Sequence, residues 1–190
     1  MEDLLSEIRG CEVCRAQLPL GPRPILAASA RSKIVLVSQA PGRKAHEQDK
    51  AYDDPSGRKL RDWLGVDEEQ FYNPDNFAIL PMGFCYPGKA KTGDMPPRPE
   101  CAPLWHESVW SGLKNVSLTL LIGKYAQNAY LGERSKENLT QNVQNYFDFL
   151  PEFFPVPHPS PVNRFWTLKN PWFEKDVVLE LRHLVSSLLK

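Results

Sequence analysis

Lys33-Ile34-Val35-Leu36-Val37-Ser38-Gln39-Ala40-Pro41-Gly42 is the stretch that sets the architecture. The run from Ile34 to Val37 is apolar at every position. A strand with one wet face would alternate, so this pattern predicts a strand buried on both faces, as in a parallel sheet. The run passes straight into Ser38-Gln39-Ala40-Pro41-Gly42, where proline and glycine mark a loop at the strand's carboxyl end. Two other segments read as strands: Asn76-Phe77-Ala78-Ile79-Leu80, stopped by Pro81, and Ser117-Leu118-Thr119-Leu120-Leu121-Ile122, followed by Gly123. Phe153-Phe154-Pro155-Val156-Pro157 is broken by proline and fits only an edge strand.

Helical patterns lie around them. They cover residues 2–9, Gly57 to about Leu64 behind an N-cap at Ser56, 102–114, Gly123 to about Leu131, 139–149 and 173–189. The last carries Val177, Val178, Leu181, Leu184, Val185 and Leu188 on one side. Residues 15–32 are Pro-rich and irregular, and 43–56 have no clear period and read as a loop. Strands alternating with helices predict a parallel α/β sheet. Ligands of such sheets sit beyond the carboxyl ends of the strands. Segments 38–56, 81–101, 123–127 and 157–166 are therefore the places to look for chemistry.

The chain has 190 residues, enough for one domain spanning 1–190. Lys+Arg and Asp+Glu both number 23, which excludes a polybasic protein that binds through bulk charge. A local basic patch is still compatible with that balance. Arg43, Lys44, Lys50, Arg58, Lys59, Arg61, Lys89, Lys91, Arg98 and Arg164 all fall in or beside the ligand-side segments. No apolar run is long enough to span a membrane. The acidic, amphipathic start Met1-Glu2-Asp3-Leu4-Leu5-Ser6-Glu7 lacks the basic and apolar regions of a signal peptide. The expectation is a cytoplasmic monomer that does not bind membranes.

Four cysteines, Cys11, Cys14, Cys85 and Cys101, in a reducing compartment suggest a metal centre or reactive thiols rather than disulfides. Cys11 and Cys14 form a C-x2-C pair, a spacing that lets one turn of backbone aim two thiolates at one centre. Cys85 and Cys101 are separated by a Pro/Gly-rich stretch that a bound centre could close. Tetrahedral zinc, a [4Fe–4S] cluster and four unconnected buried thiols all fit this spacing.

Two segments concentrate polar groups. Ser38 to Gly57 holds a histidine, four acids and an aromatic; a carboxylate there could deprotonate a water, and a tyrosine could stack on a planar ligand. Pro157-His158-Pro159-Ser160-Pro161-Val162-Asn163-Arg164-Phe165-Trp166 holds a histidine between prolines, a stiff mount for a donor aimed at developing negative charge. His106 and His183 lie in helical patterns and read as ordinary surface or packing residues.

Gln39-Ala40-Pro41-Gly42 after a strand, Ser56-Gly57 before a helix, and His158-Pro159-Ser160-Pro161 near the end together resemble the uracil-DNA glycosylase superfamily. The cysteines resemble those of its iron–sulfur branch, family 4. The resemblance runs from Cys11 to Trp166. It implies a three-layer α/β/α sandwich with a central four-stranded parallel sheet. It implies monofunctional hydrolysis of the N-glycosidic bond to a damaged base flipped out of DNA, uracil foremost, in base excision repair and without strand cleavage. Cys11, Cys14, Cys85 and Cys101 would hold a [4Fe–4S] cluster, with zinc as the alternative. His158 would stabilise the departing base, Gln39–Gly42 would bind water and face the base, and Tyr52 would stack on it. Val162-Asn163-Arg164 would wedge into the minor groove, with Ser160 and Asp53 among the DNA- and base-contacting residues.

The pattern also departs from that family. Ser38 stands where glycine is usual, and Gln39 where an acid is usual. The general base is then sought among His46, Asp53 and Asp54, with Asp54 and His46 ranked first. Pro81 occupies the place of a base-reading asparagine, and Met82-Gly83-Phe84 beside it suggests a roomy apolar wall. Besides uracil, the resemblance therefore admits hypoxanthine, xanthine or a modified cytosine as the excised base, or a DNA-binding homologue that has lost the reaction.

Overall fold

The computed structural model describes all of residues 1–190. Four strands form one sheet: β1 (Ile34–Val37), β2 (Phe77–Ile79), β3 (Leu118–Ile122) and β4 (Phe153–Val156). Their order is β2-β1-β3-β4, and every pairing is parallel. All strand residues are buried, so the unalternating apolar runs have the meaning expected of them. β4 lies at the edge, where Pro155 can face Leu121 without costing the sheet an interior hydrogen bond.

The pleat sends alternate side chains to opposite layers. Ile34, Leu36, Leu118, Leu120, Ile122, Phe154 and Val156 join one core with residues of α3 (Pro55–Leu64) and α9 (Val178–Leu188). Val35, Val37, Leu121 and Phe153 join the other, with residues of α1 (Glu2–Arg9), α5 (Cys101–Gly112) and α6 (Gly123–Leu131). The result is the three-layer α/β/α sandwich expected from the sequence.

Other elements depart from the sequence reading. Residues expected as a loop include α2 (Arg43–Gln48), a short helix after Gly42. It has no apolar stripe, only Ala45 and His46 turned inward, so periodicity could not find it. The N-cap of α3 is Asp54 rather than Ser56: the Asp54 side chain accepts from the Gly57 amide, and Pro55 occupies the first turn. α4 (Glu68–Tyr72) is fixed by a capping box between Asp67 and Gln70. The 139–149 helix is α7 (Leu139–Gln144) followed by a 3-10 turn over Tyr146–Phe149. The segment after β4 closes with a short helix, α8 (Arg164–Lys169), and the start of the last helical pattern is a π turn at Phe173–Val177.

One local fit controls the entry to α3. Tyr52 has a left-handed backbone, with φ of 60°. A Cβ on Gly57 would lie 1.7 Å from the Tyr52 carbonyl oxygen, so only glycine lets α3 start against this bend. Gly57→Ala should therefore destabilise the protein by about 1–3 kcal/mol in chemical denaturation, the range for overpacking at a backbone contact. A variant as stable as the parent would show that the bend is not held from this side.

Candidate functional site

In the order β2-β1-β3-β4, the connections leaving β1 and β3 part in opposite directions, which opens a crevice at their carboxyl ends. A cavity of about 1190 Å³ occupies this position. Ser38 to Ala45 line it from β1, Pro81 from β2, Ile122 to Tyr125 from β3, and His158 and Ser160 from beyond β4. All four segments singled out by the strand-end rule thus contribute to one space.

A buried amide network braces the floor. Gln127 on α6 donates to the carbonyls of Leu121 (3.3 Å) and Val156 (3.0 Å), tying the ends of β3 and β4 together. Asn142 on α7 donates to the Gln127 side-chain oxygen at 3.1 Å. These bonds fix the strand end from which His158 projects.

His158 is held in one tautomer. The Ser160 amide donates to its Nδ1 at 3.2 Å, which leaves the proton on Nε2. Burial pushes its pKa down, opposed by the carboxylate of Asp54. The imidazole is therefore a neutral N–H donor on a stiff turn. The His158 carbonyl accepts from Asn163 Nδ2 at 2.8 Å, which links the turn to the following segment.

Tyr52 packs edge-on against Phe71, with ring centroids 5.8 Å apart. Its hydroxyl is buried without a hydrogen-bond partner, and desolvation drives its pKa well above the usual tyrosine range. Asp54 lines the cavity, with one carboxylate oxygen committed to the Gly57 amide at 2.8 Å. Gln39 donates from its side chain to the Met95 carbonyl at 2.9 Å, fastening the loop after β1 to the loop between Cys85 and Cys101.

Of the residues expected to carry chemistry, Gln39, Ala40, Pro41, Gly42, Tyr52, Asp54, His158, Ser160, Val162 and Asn163 line this single cavity. His46, Asp53 and Arg164 do not. His46 is the main correction. α2 turns it into the protein interior, tilted against the Tyr86 ring at 6.3 Å, while Arg23 bonds its carbonyl at 2.6 Å. A buried side chain outside the cavity cannot act as base on a water within it.

The basic patch is also smaller than the sequence reading. Arg43, Lys50, Lys59 and Arg98 are paired with Glu47, Glu68, Glu174 and Glu100. Lys44 and Lys124 line the cavity without ion pairs. At its mouth Val162, and along the following segment Phe165 and Leu168, are apolar and 76%, 75% and 64% exposed. The sequence reading finds Val162 but misses Phe165 and Leu168, because the three-residue spacing matters only once α8 is recognised.

His106 is more than the ordinary packing residue its helical pattern suggests. It closes a buried hydrogen-bond chain: Trp110 Nε1 donates to the Tyr130 hydroxyl (2.8 Å), which pairs with His106 Nδ1 (2.8 Å), while Nε2 pairs with the Pro81 carbonyl (3.0 Å). A carbonyl can only accept, so the proton sits on Nε2 and Nδ1 accepts from the hydroxyl.

The four cysteines are free thiols, and all four line one small second pocket with Leu18, Phe84 and Trp105. Burial pushes the Cys85 thiol up to about 12. The backbone amide of Arg23 lies beside Cys85 and that of Phe84 beside Cys101, and each favours a thiolate there. No three His, Cys, Asp or Glu side chains converge tightly enough to hold a single ion. Around one zinc ion all four sulfurs crowd at about 2.3 Å from the metal. A tetranuclear cluster takes one thiolate per iron, and four thiols lining one pocket are a donor set that either group could use.

A neutral imidazole N–H, a preset aromatic ring and free cations around one strand-end crevice suit a flat heterocycle carried on a charged strand. A profile of the uracil DNA glycosylase superfamily matches residues 27–182, and the chain belongs to that superfamily, a class of DNA glycosylases. Among solved structures, the chain is similar to the solution NMR structure of a presumptive uracil DNA glycosylase from Methanosarcina acetivorans. The match has 13% identity and a TM-score of 0.48, over 85% of this chain and 98% of that one. No helix is long and apolar enough to cross a membrane.

The tautomer of His158 can be checked directly. Nitrogen-15 NMR should find it neutral at pH 7, protonated on Nε2 and titrating below the ordinary value of 6.5. Because the folded pKa is depressed, the unfolded chain binds the proton first. This residue's contribution to stability should be complete above pH 6.5 and decline as pH falls through that value towards the folded pKa.

Proposed function

We propose that this protein hydrolyses the N-glycosidic bond of a damaged or modified base flipped out of DNA, as a monofunctional glycosylase of base excision repair acting through one domain over residues 1–190. The observation that carries this reading is the shared cavity of the neutral His158 donor, the Tyr52 ring and the Gln39–Gly42 loop.

The flipped base stacks on Tyr52. As the bond from the sugar C1′ to the base nitrogen breaks, its electron pair goes to the base and positive charge develops on the sugar. His158 Nε2–H, with amides of the 39–42 loop, stabilises the anionic base. A donor fixed in place before reaction is worth more than one that must reorient. The carboxylate of Asp54 uses one oxygen as the cap of α3. Its other oxygen faces the developing cation and accepts a proton from the water that attacks C1′. The departing base is protonated from solvent, while His158 keeps its Nε2 proton and only donates a hydrogen bond. No lysine nucleophile is needed, so the strand stays intact.

Val162, Phe165 and Leu168 would meet the base stack, since apolar side chains inserted between steps unstack them. Lys44 and Lys124 would meet phosphates. The hydrogen bond from Asn163 to the His158 carbonyl connects that contact to the imidazole.

Cys11, Cys14, Cys85 and Cys101 would hold a [4Fe–4S] cluster of the family 4 type. When bound, it supplies a covalent brace between the N-terminal segment and the 85–101 loop, and the hydrolytic steps are assigned to protein side chains.

Two experiments test these readings. A screen of defined lesions in single- and double-stranded DNA, including uracil, hypoxanthine, xanthine and modified cytosines, should find base release by the parent protein. His158→Ala should lower it by about 10²–10³-fold, the range for losing one preorganised donor. Unchanged turnover would remove His158 from the mechanism, and binding without release of any base would make the protein a DNA-binding homologue.

The purified protein should also be brown and contain iron and acid-labile sulfide. Cys85→Ser should lose visible absorbance and solubility together. A soluble, fully active Cys85→Ser variant would refute the bracing role, and a colourless protein with stoichiometric zinc would replace the cluster.

A further inference from the structure

The end of the pocket at β2 is chemically blank. Pro81 has no N–H and no polar side chain, and its carbonyl is taken by His106 at 3.0 Å. The position thus offers no donor, and its one acceptor is already engaged by His106. Half-buried Tyr130 bonds the other ring nitrogen of His106 and is itself bonded by Trp110, which holds the ring against the carbonyl. A base in this cavity must be distinguished by another wall.

That wall is the turn from Gly88 to Met95. Ala90 donates to the Gly93 carbonyl at 3.0 Å and Met95 to the Gly88 carbonyl at 2.8 Å. The Gln39 side chain clamps this turn to the loop after β1. Asp94 lines the cavity from the turn, and its Oδ2 lies 3.6 Å from where a Cβ on Gly42 would be. The missing side chain at Gly42 leaves open the space that the carboxylate faces. Asp94 makes neither an ion pair nor a side-chain hydrogen bond; desolvation raises its pKa above the usual carboxylate value, opposed by Lys89.

An ionised carboxylate can only accept hydrogen bonds. Set against the O4 of uracil or thymine, it places acceptor against acceptor. Set against the N4 amino group of a cytosine, or a hydroxyl on a base substituent, it gains a charge-assisted bond. We propose that Asp94 selects the base, and that the base carries an amino or hydroxyl donor on the edge facing the 88–95 turn. The proposal rests on the reading of this cavity as a base pocket and names the class of base it takes.

The test separates selection from catalysis. Duplexes carrying 2′-fluoroarabino forms of uracil, cytosine or 5-hydroxymethyluracil keep the glycosidic bond intact, and their binding is measured by fluorescence anisotropy. The parent protein should bind at least one donor-bearing duplex about tenfold or more tighter than the uracil duplex, the range for a hydrogen bond to a charged group. Asp94→Asn and Asp94→Ala should both compress that ratio to within about threefold, since neither keeps the charged acceptor.

A parent protein that binds the uracil duplex tightest, or a ratio unchanged in both variants, would overturn the proposal. Base release from the unfluorinated duplexes is followed alongside. Asp94-dependent discrimination without release leaves selection standing and defeats the glycosylase reading. Release without such discrimination defeats selection alone.

Discussion

The constraint behind everything else is that the four strands are buried on both faces. Thr119 apart, their side chains are apolar, and helices cover each face. No polar ligand can be read from the middle of such a sheet. Chemistry is confined to the carboxyl ends, where the chain stops satisfying its own backbone groups and begins to turn. Four strand-end segments meet there because the strand order places β1 and β3 side by side at the centre. The imidazole, the aromatic ring and the two cavity carboxylates come from segments far apart in sequence, and the sheet alone makes them neighbours.

The elements legible in the sequence are those whose residues speak for themselves. Ile34–Val37 and Leu118–Ile122 are too uniformly apolar to be anything but interior strands, and Pro155 marks its strand as an edge. What could not be read is local geometry decided by tertiary contacts. α2 has no apolar period, so nothing in its composition separates it from a charged loop. Its direction, which hides His46 and leaves the cavity to its neighbours, follows from packing against Tyr86 and Arg23. The choice of Asp54 over Ser56 as the cap of α3 depends on the left-handed bend at Tyr52. His106 looks ordinary because its partners, Tyr130 and the Pro81 carbonyl, lie 24 and 25 positions away, far outside a helical turn.

The cysteine pocket and the base cavity share structure. α5 begins at Cys101 and carries His106, whose ring holds Pro81 in the cavity wall. The loop that begins at Cys85 passes through Asp94 and is clamped by Gln39 on its way to Cys101. Residues around the thiols therefore hold two cavity walls from behind, one through a helix and one through a turn.

The parts of the cleft also differ in evolvability. Position 57 is restricted towards glycine by the carbonyl of Tyr52, so mutation there costs stability. The 88–95 turn is open by comparison: Thr92 and Asp94 are exposed, and a Cβ at Gly93 between them would meet nothing within 4 Å. Drift at those two exposed positions can rewrite the rim without disturbing the aromatic platform at Tyr52. Lineages descended from such a scaffold would be expected to change what they recognise while keeping how they react.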